Sequence, residues 1–344
     1  MSRKLLALAL QGGGSHGAYT WGVLDRLLEN GQIEIEAISG ASAGAMNATV
    51  LAHGYLRGGR EGAREALATF WNAVSAKLSY KGLGAGATPT LPEPATKAYL
   101  SLARYFSPYQ LNPLNINPLR DILSEQIDFD RLRAERGIKL FISATRVRDG
   151  ALKIFRNDEL TLEALLASAC IPSLHHTVAV DGEPYWDGGL SANPPLSVLV
   201  YECDAPEVLV VVLNPSGMAE IPSTADAIFE RFTQVSFSST FFTELHSIGL
   251  AKAQAARSRF TLGRVDRRLK RVNLEVIDSG AIIGALDPAT RLKTETRFIT
   301  RLRDEGRKGA DAWLVEHGVQ ALQPATIGMQ GGFDASRESE CAPG

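Results

Sequence analysis

Two short stretches, LLALAL at 5–10 and VLVVVL at 208–213, are apolar at every position. An element with one wet face alternates with period two or carries a stripe at helical spacing. A run with neither must be covered on both sides. Both runs are far shorter than the roughly 20 residues of a membrane-spanning helix. They read as strands of a parallel sheet with helices on each face. IEIEAIS at 33–39, IKLFISAT at 138–145 and ALKIFR at 151–156 read as further strands. Helical patterns separate them. Ala18–Glu29 places Leu24, Leu27 and Leu28 on one face and is closed by Asn30-Gly31. A second helix begins at Gly44. A third, Glu61–Leu78, carries Leu67, Phe70, Trp71 and Val74 at helical spacing, and Thr161–Ala169 is another. TVAV-DG-EPYW at 177–186 reads as a hairpin, because Asp-Gly suits a tight two-residue turn. This order implies an α/β fold with a mostly parallel sheet sandwiched by helices.

Residues 1–215 form the expected core. The segment 216–323 reads as mostly helical and packing on that core, and 324–344 has the Gly, Ser and Glu content of a disordered tail. An insert at 80–117, rich in Gly, Pro and aromatics, interrupts the core before Asn117-Pro118 opens a new helix. It is either a self-packed surface excursion or an apolar lid. Residues 257–271, RSRFTLGRVDRRLKR, carry seven basic side chains. They form either a solvated helix face or a peripheral contact with anionic lipid headgroups.

Composition narrows the function classes. With 45% hydrophobic and 22% charged residues the chain is an ordinary globular protein, and a net charge of −2 gives no overall attraction to nucleic acid. Cys170, Cys203 and Cys341 follow neither metal nor disulfide spacing, as expected of thiols in a reducing, cytoplasmic setting. The opening Met1–Leu10 imitates a signal peptide, but its apolar part is short and runs straight into QGGG.

The second strand ends in Gly40-Ala41-Ser42-Ala43-Gly44, followed by a helix. Strand, G-x-S-x-G, helix is the nucleophile-elbow arrangement. The flanking residues must be small because the turn is tight, and the serine then sits at a helix N-terminus that favours developing anions. Gln11-Gly12-Gly13-Gly14-Ser15-His16-Gly17, between the first strand and first helix, can bring backbone N–H groups up to an oxygen. If their strands are adjacent, the two turns lie side by side. Gly12-x-Gly14-x-x-Gly17 also fits a dinucleotide-binding turn, with Glu34 or Glu36 spaced for a ribose contact. That alternative leaves the elbow unexplained.

A serine nucleophile needs a base. A late triad histidine would be His246 or His317, but neither has a glycine-rich loop or strand end to present it, and His317 in VEHG reads as a helix C-terminus. Asp187, in Tyr185-Trp186-Asp187-Gly188-Gly189 at a strand end, is the better candidate.

G-G-G-x-x-G at 12–17, G-x-S-x-G at 40–44 and D-G-G at 187–189, in that order, resemble the patatin-like phospholipases. FISATRVRDG at 141–150 and SACIPSLHHTVAVDGEPYWDGGLSANPP at 168–195 are similar to that family's connecting text. The resemblance spans about residues 5–215. It implies a three-layer α/β hydrolase that acts on lipid esters without cofactor or metal. Ser42 would be the nucleophile and Asp187 the base. Gly12, Gly13, Gly14 and Ala43 would line the oxyanion hole, with an acyl-enzyme intermediate. One position departs: His16 stands where the family usually has Arg or Lys. A carboxylesterase on short or neutral esters is the nearest alternative, and a nucleotide- or lipid-binding module without catalysis is the alternative from another class.

Overall fold

A computed structural model describes residues 3–80, 102–135, 137–214, 221–257 and 263–316. Most of the 80–117 insert, part of the basic run, His317, Cys341 and the 324–344 tail lie outside the described residues. One sheet of eight strands organises the rest, in the order β5-β6-β3-β2-β1-β7-β8, with β4 pairing on β3. The strands are β1 (Lys4–Leu10), β2 (Ile33–Gly40), β3 (Lys139–Arg146), β4 (Leu152–Arg156), β5 (Val178–Val180), β6 (Glu183–Asp187), β7 (Glu207–Val212) and β8 (Asn273–Asp278). β3, β2, β1, β7 and β8 run parallel, while β4, β5 and β6 are antiparallel to their neighbours.

The uninterrupted apolar runs do what their composition requires. Leu6, Leu8 and Leu10 of β1 belong to the core on one face, and Ala7 and Ala9 to the core on the other. The first face is covered by α1 (Gly17–Asn30), α2 (Ala43–Tyr80) and α3 (Leu162–Ser168). On the second face the small alanines meet Leu196, Leu199 and Phe241, the last carried by a later helix. Local signals fix the ends. Gly31 closes α1 with φ 75, and the Thr161 hydroxyl caps α3 by accepting Ala164 N–H. α2 comprises the two expected helices, broken at Gly58 and Gly59, the latter with φ 59. The hairpin turns at Asp181 and Gly182, both at positive φ, between β5 and β6.

The C-terminal segment contributes α4 (Ala225–Ser236), α5 (Ser239–Arg257), α6 (Arg264–Arg271) and α7 (Thr296–Glu316). It also supplies β8, a strand within a region that reads from sequence as largely helical. β8 adds to the sheet parallel to β7, pairing Asn273 with Glu207 through Asp278 with Val212. α7 lies on α1 at backbone contact: a Cβ on Gly306 would stand 1.9 Å from the Tyr19 carbonyl oxygen, and one on Gly22 equally close to that of Arg303. Gly306→Ala is therefore expected to cost about 3 kcal/mol and to lower the thermal midpoint by several degrees. An unchanged midpoint would mean the two helices separate without penalty. Among the described residues, no helix is long and apolar enough to cross a membrane.

Candidate active site

Sheet register brings the three motifs to one height. β1 pairs Leu10 with Gly40 of β2, so Gly12 and Ser42, each two residues further on, emerge together. β2 pairs Gly40 with Ile142, and β3 pairs Ala144 with Asp187, so the antiparallel β6 delivers Asp187 to the level of Ser42. The carboxyl edge of a parallel sheet is where α/β folds place their sites.

Ser42 has φ 52, in the left-handed region that side chains other than glycine seldom occupy. The strain is held by packing and by α3. Ser42 N–H is donated to the Ser168 carbonyl oxygen and hydroxyl, each at 3.1 Å. Glycine is required around it: a Cβ on Gly44 would stand 2.1 Å from the Leu10 carbonyl oxygen. The serine is 9% exposed.

Asp187 is fully buried. Its N–H donates to the Cys170 carbonyl and its own carbonyl accepts the Thr145 hydroxyl, both at 2.8 Å. Gly189 N–H donates to Oδ1 at 2.8 Å. Oδ2 has no formed hydrogen bond among the described residues. Burial pushes the carboxyl up to about 7, opposed by the Gly189 N–H and by the nearby Ser42 hydroxyl. An ordinary aspartate, near 3.9, would be a poor base for an alcohol at neutral pH. Among the described residues, no imidazole acts on this carboxyl. His246 is exposed on α5. His176 sits against Tyr109 and the Pro108 carbonyl, and His175 is kept neutral by burial, down to about 4.

The glycine turn lies directly on the elbow. A Cβ on Gly12 would stand 2.7 Å from Ser42 Cβ. Gly12 N–H donates to Asn193 Oδ1 at 2.7 Å. This corrects the expectation that Gly12 supplies a donor to an oxyanion hole: its N–H is engaged, and its part is steric. The N–H groups of Gly13, Gly14 and Ala43 donate to no acceptor among the described residues. Four further side chains, whose contacts the sequence does not reveal, build the corner. Ser168 and Asn193 do so through the bonds above. Gln11 Oε1 gathers the N–H groups of Leu213 and Asn214 at 2.9 and 3.1 Å, and Asn214 Nδ2 reaches the Gly12 carbonyl at 3.4 Å.

The dinucleotide reading does not fit this layout. Glu36 lies nearer the amino end of β2, bonded to Lys139 at 2.7 Å and to the N–H groups of Asp204 and Ala205, away from the glycine turn. Glu34 lies further still toward that end, paired with Leu5. His16 is also no cation. Burial and the nearby Arg291 push it down to about 3, and its Nε2 is bonded to the Thr290 hydroxyl at 2.8 Å. The thiols of Cys170 and Cys203 are free and buried.

A left-handed serine, a buried carboxyl and backbone N–H groups without acceptors among the described residues thus lie together at the carboxyl edge of the parallel sheet. Residues 8–200, more than half of the chain, match the patatin-like phospholipase family model. The chain belongs to that family, whose members are lipid acyl hydrolases. No curated protein sequence matches it. The crystal structure of VipD from Legionella pneumophila aligns with 92% of this chain and 67% of that one, at 17% identity and a TM-score of 0.41.

Proposed function

We propose that the chain hydrolyses lipid carboxylic esters with Ser42 as nucleophile and Asp187 as base. One observation carries this reading: a left-handed serine faces a buried carboxyl whose pKa is raised to about 7. Ser42 Oγ attacks the ester carbonyl carbon while its proton passes to Asp187 Oδ2. The carbonyl oxygen, now anionic, is met by the N–H groups of Gly13, Gly14 and Ala43; one such donor is typically worth ~10²–10³ in rate. Collapse expels the alcohol, which takes the proton back from Asp187. Water then attacks the acyl-enzyme with Asp187 again as base, releasing the fatty acid and restoring Ser42.

The surface beside the site favours lipid over a short soluble ester. α4 buries none of its residues and exposes Phe229 and Phe232. Tyr105, Phe106 and Leu114 are exposed on the neighbouring segment. Arg104 joins the two, paired with Asp226 and lying 4.5 Å from the Phe229 ring centre. Phe237, just past α4, packs so closely on Gly189 that a Cβ there would stand 2.6 Å from its ring. An apolar surface of this kind, touching the catalytic corner, suits peripheral contact with a lipid aggregate. The basic helix α6 offers no such continuity. It leads into the amino end of β8, whereas the site lies at the carboxyl edge, and Arg268 donates to the carbonyls of Leu199 and Val200.

Labelling with a fluorophosphonate followed by peptide mapping tests the assignment. A single adduct on Ser42, lost in Ser42→Ala, is expected. An adduct elsewhere, or none, would remove the nucleophile and with it this function.

A further inference from the structure

Arg291 belongs to the turn Pro288–Leu292, remote in sequence from the glycine loop, yet it presses on that loop: a Cβ on Gly14 would stand 2.4 Å from its carbonyl oxygen. Its guanidinium points inward. Nη2 donates to Asn214 Oδ1 at 2.8 Å, and Nε is closed to solvent with no acceptor among the described residues. Asn214 Nδ2 reaches Gln11 Oε1 and the Gly12 carbonyl, each at 3.4 Å, and Gly12 lies against Ser42. The arginine is thus three links from the nucleophile, through Asn214 and Gly12. His16, on the same loop, is neutral, so it brings no charge of its own. Glu230 of α4 acts on the guanidinium electrostatically, as its counter-charge.

A sequestered N–H without an acceptor is costly, and a cation drawn out of water is costlier. A charge held in place beside a site where negative charge develops is worth most when it is already out of water, because no solvent has to reorganise as the reaction proceeds.

We propose that Arg291 is a positioning residue for acyl transfer: through Asn214 it holds the Gly12–Gly14 loop in its donor-presenting shape, and its fixed charge favours the oxyanion forming in front of that loop. This rests on Ser42 as nucleophile. The loop meets the carbonyl oxygen of any ester, so the effect does not depend on the charge of the alcohol part.

The test compares wild type, Arg291→Met and Arg291→Lys. It measures fluorophosphonate labelling of Ser42, steady-state kinetics on a neutral short-chain ester and on a lysophospholipid, and thermal midpoints. Arg291→Met is expected to slow labelling and to lower kcat about 100-fold on both esters, with KM little changed. Arg291→Lys, which keeps the charge but not the planar reach to Asn214, is expected to recover part of that loss. Labelling of Arg291→Met at the wild-type rate would overturn the proposal. So would a loss confined to the phosphate-bearing ester, which would make Arg291 a headgroup ligand. So would equal losses in both variants that follow their midpoints. Absence of labelling in wild type would instead remove the nucleophile assignment itself.

Discussion

Asp187→Asn is expected to lower ester hydrolysis by ~10⁴-fold while raising the thermal midpoint above that of wild type at about pH 8. The two effects share one cause. The amide has the shape of the carboxyl and can keep the 2.8 Å bond from Gly189 N–H through its oxygen, but it cannot take a proton from Ser42. Burial raises the wild-type carboxyl from 3.8 to about 7. Below its unfolded pKa the group is protonated in both states and costs nothing. Between 3.8 and about 7 the folded state holds a proton that the unfolded state has released, so stability falls as pH rises. Above about 7 the folded protein carries the full burden of an ionised, buried carboxylate, on the order of a few kcal/mol. Asparagine carries none. The variant's advantage should therefore be largest at about pH 8 and gone by about pH 4. Wild-type kcat/KM should climb as pH passes through about 7, as the base ionises. Midpoints and rates across that range are the measurement. A variant no more stable than wild type at alkaline pH would mean the carboxyl is not desolvated. Substantial activity in the variant would move the base to another residue.

The side chains proposed for catalysis were legible because each announces itself locally. A serine boxed by glycines after a strand, a run of three glycines after another, and an aspartate before two glycines are all backbone requirements. Backbone requirements leave marks in adjacent residues. The strands at 5–10 and 208–213 were legible for a similar reason, since uninterrupted apolar runs have few other uses. The supporting side chains leave no such mark. Ser168, Asn193, Asn214 and Arg291 act across the chain, on partners brought near only by the closed sheet. Gln11 lies inside a recognisable motif, but its task of gathering the N–H groups after β7 is visible only once β1 and β7 are neighbours. β8 stayed hidden because the half-buried Glu275 interrupts its apolar pattern, and it follows a strongly basic helix. Gly12 shows the limit from the other side. Its identity was read correctly and its use was not, because the Asn193 side chain that takes its N–H is far along the sequence.

Ser42→Ala and Ser42→Gly should both lose essentially all hydrolysis, roughly 10⁶-fold by analogy with other activated serines, yet they should differ in stability. Position 42 lies at φ 52, where an L side chain costs on the order of 1–2 kcal/mol. Alanine keeps the Cβ and so keeps the strain, while also losing the hydroxyl's interaction with the Asp187 carboxyl. Glycine removes the Cβ and the strain together, at the expense of greater freedom in the unfolded chain, worth about 0.5–1 kcal/mol. The net expectation is that Ser42→Gly unfolds at a higher temperature than Ser42→Ala, by an amount equivalent to about 1 kcal/mol. Denaturation of the two variants side by side isolates the backbone from the chemistry, because both lack the nucleophile. If glycine confers no advantage, the elbow is not strained in solution, and its serine is held outward by packing on Ser168 and Gly12 alone. If it does, the protein maintains at rest a conformation that only the reaction needs, and the stability lost at Ser42 and Asp187 together is what the surrounding sheet must supply.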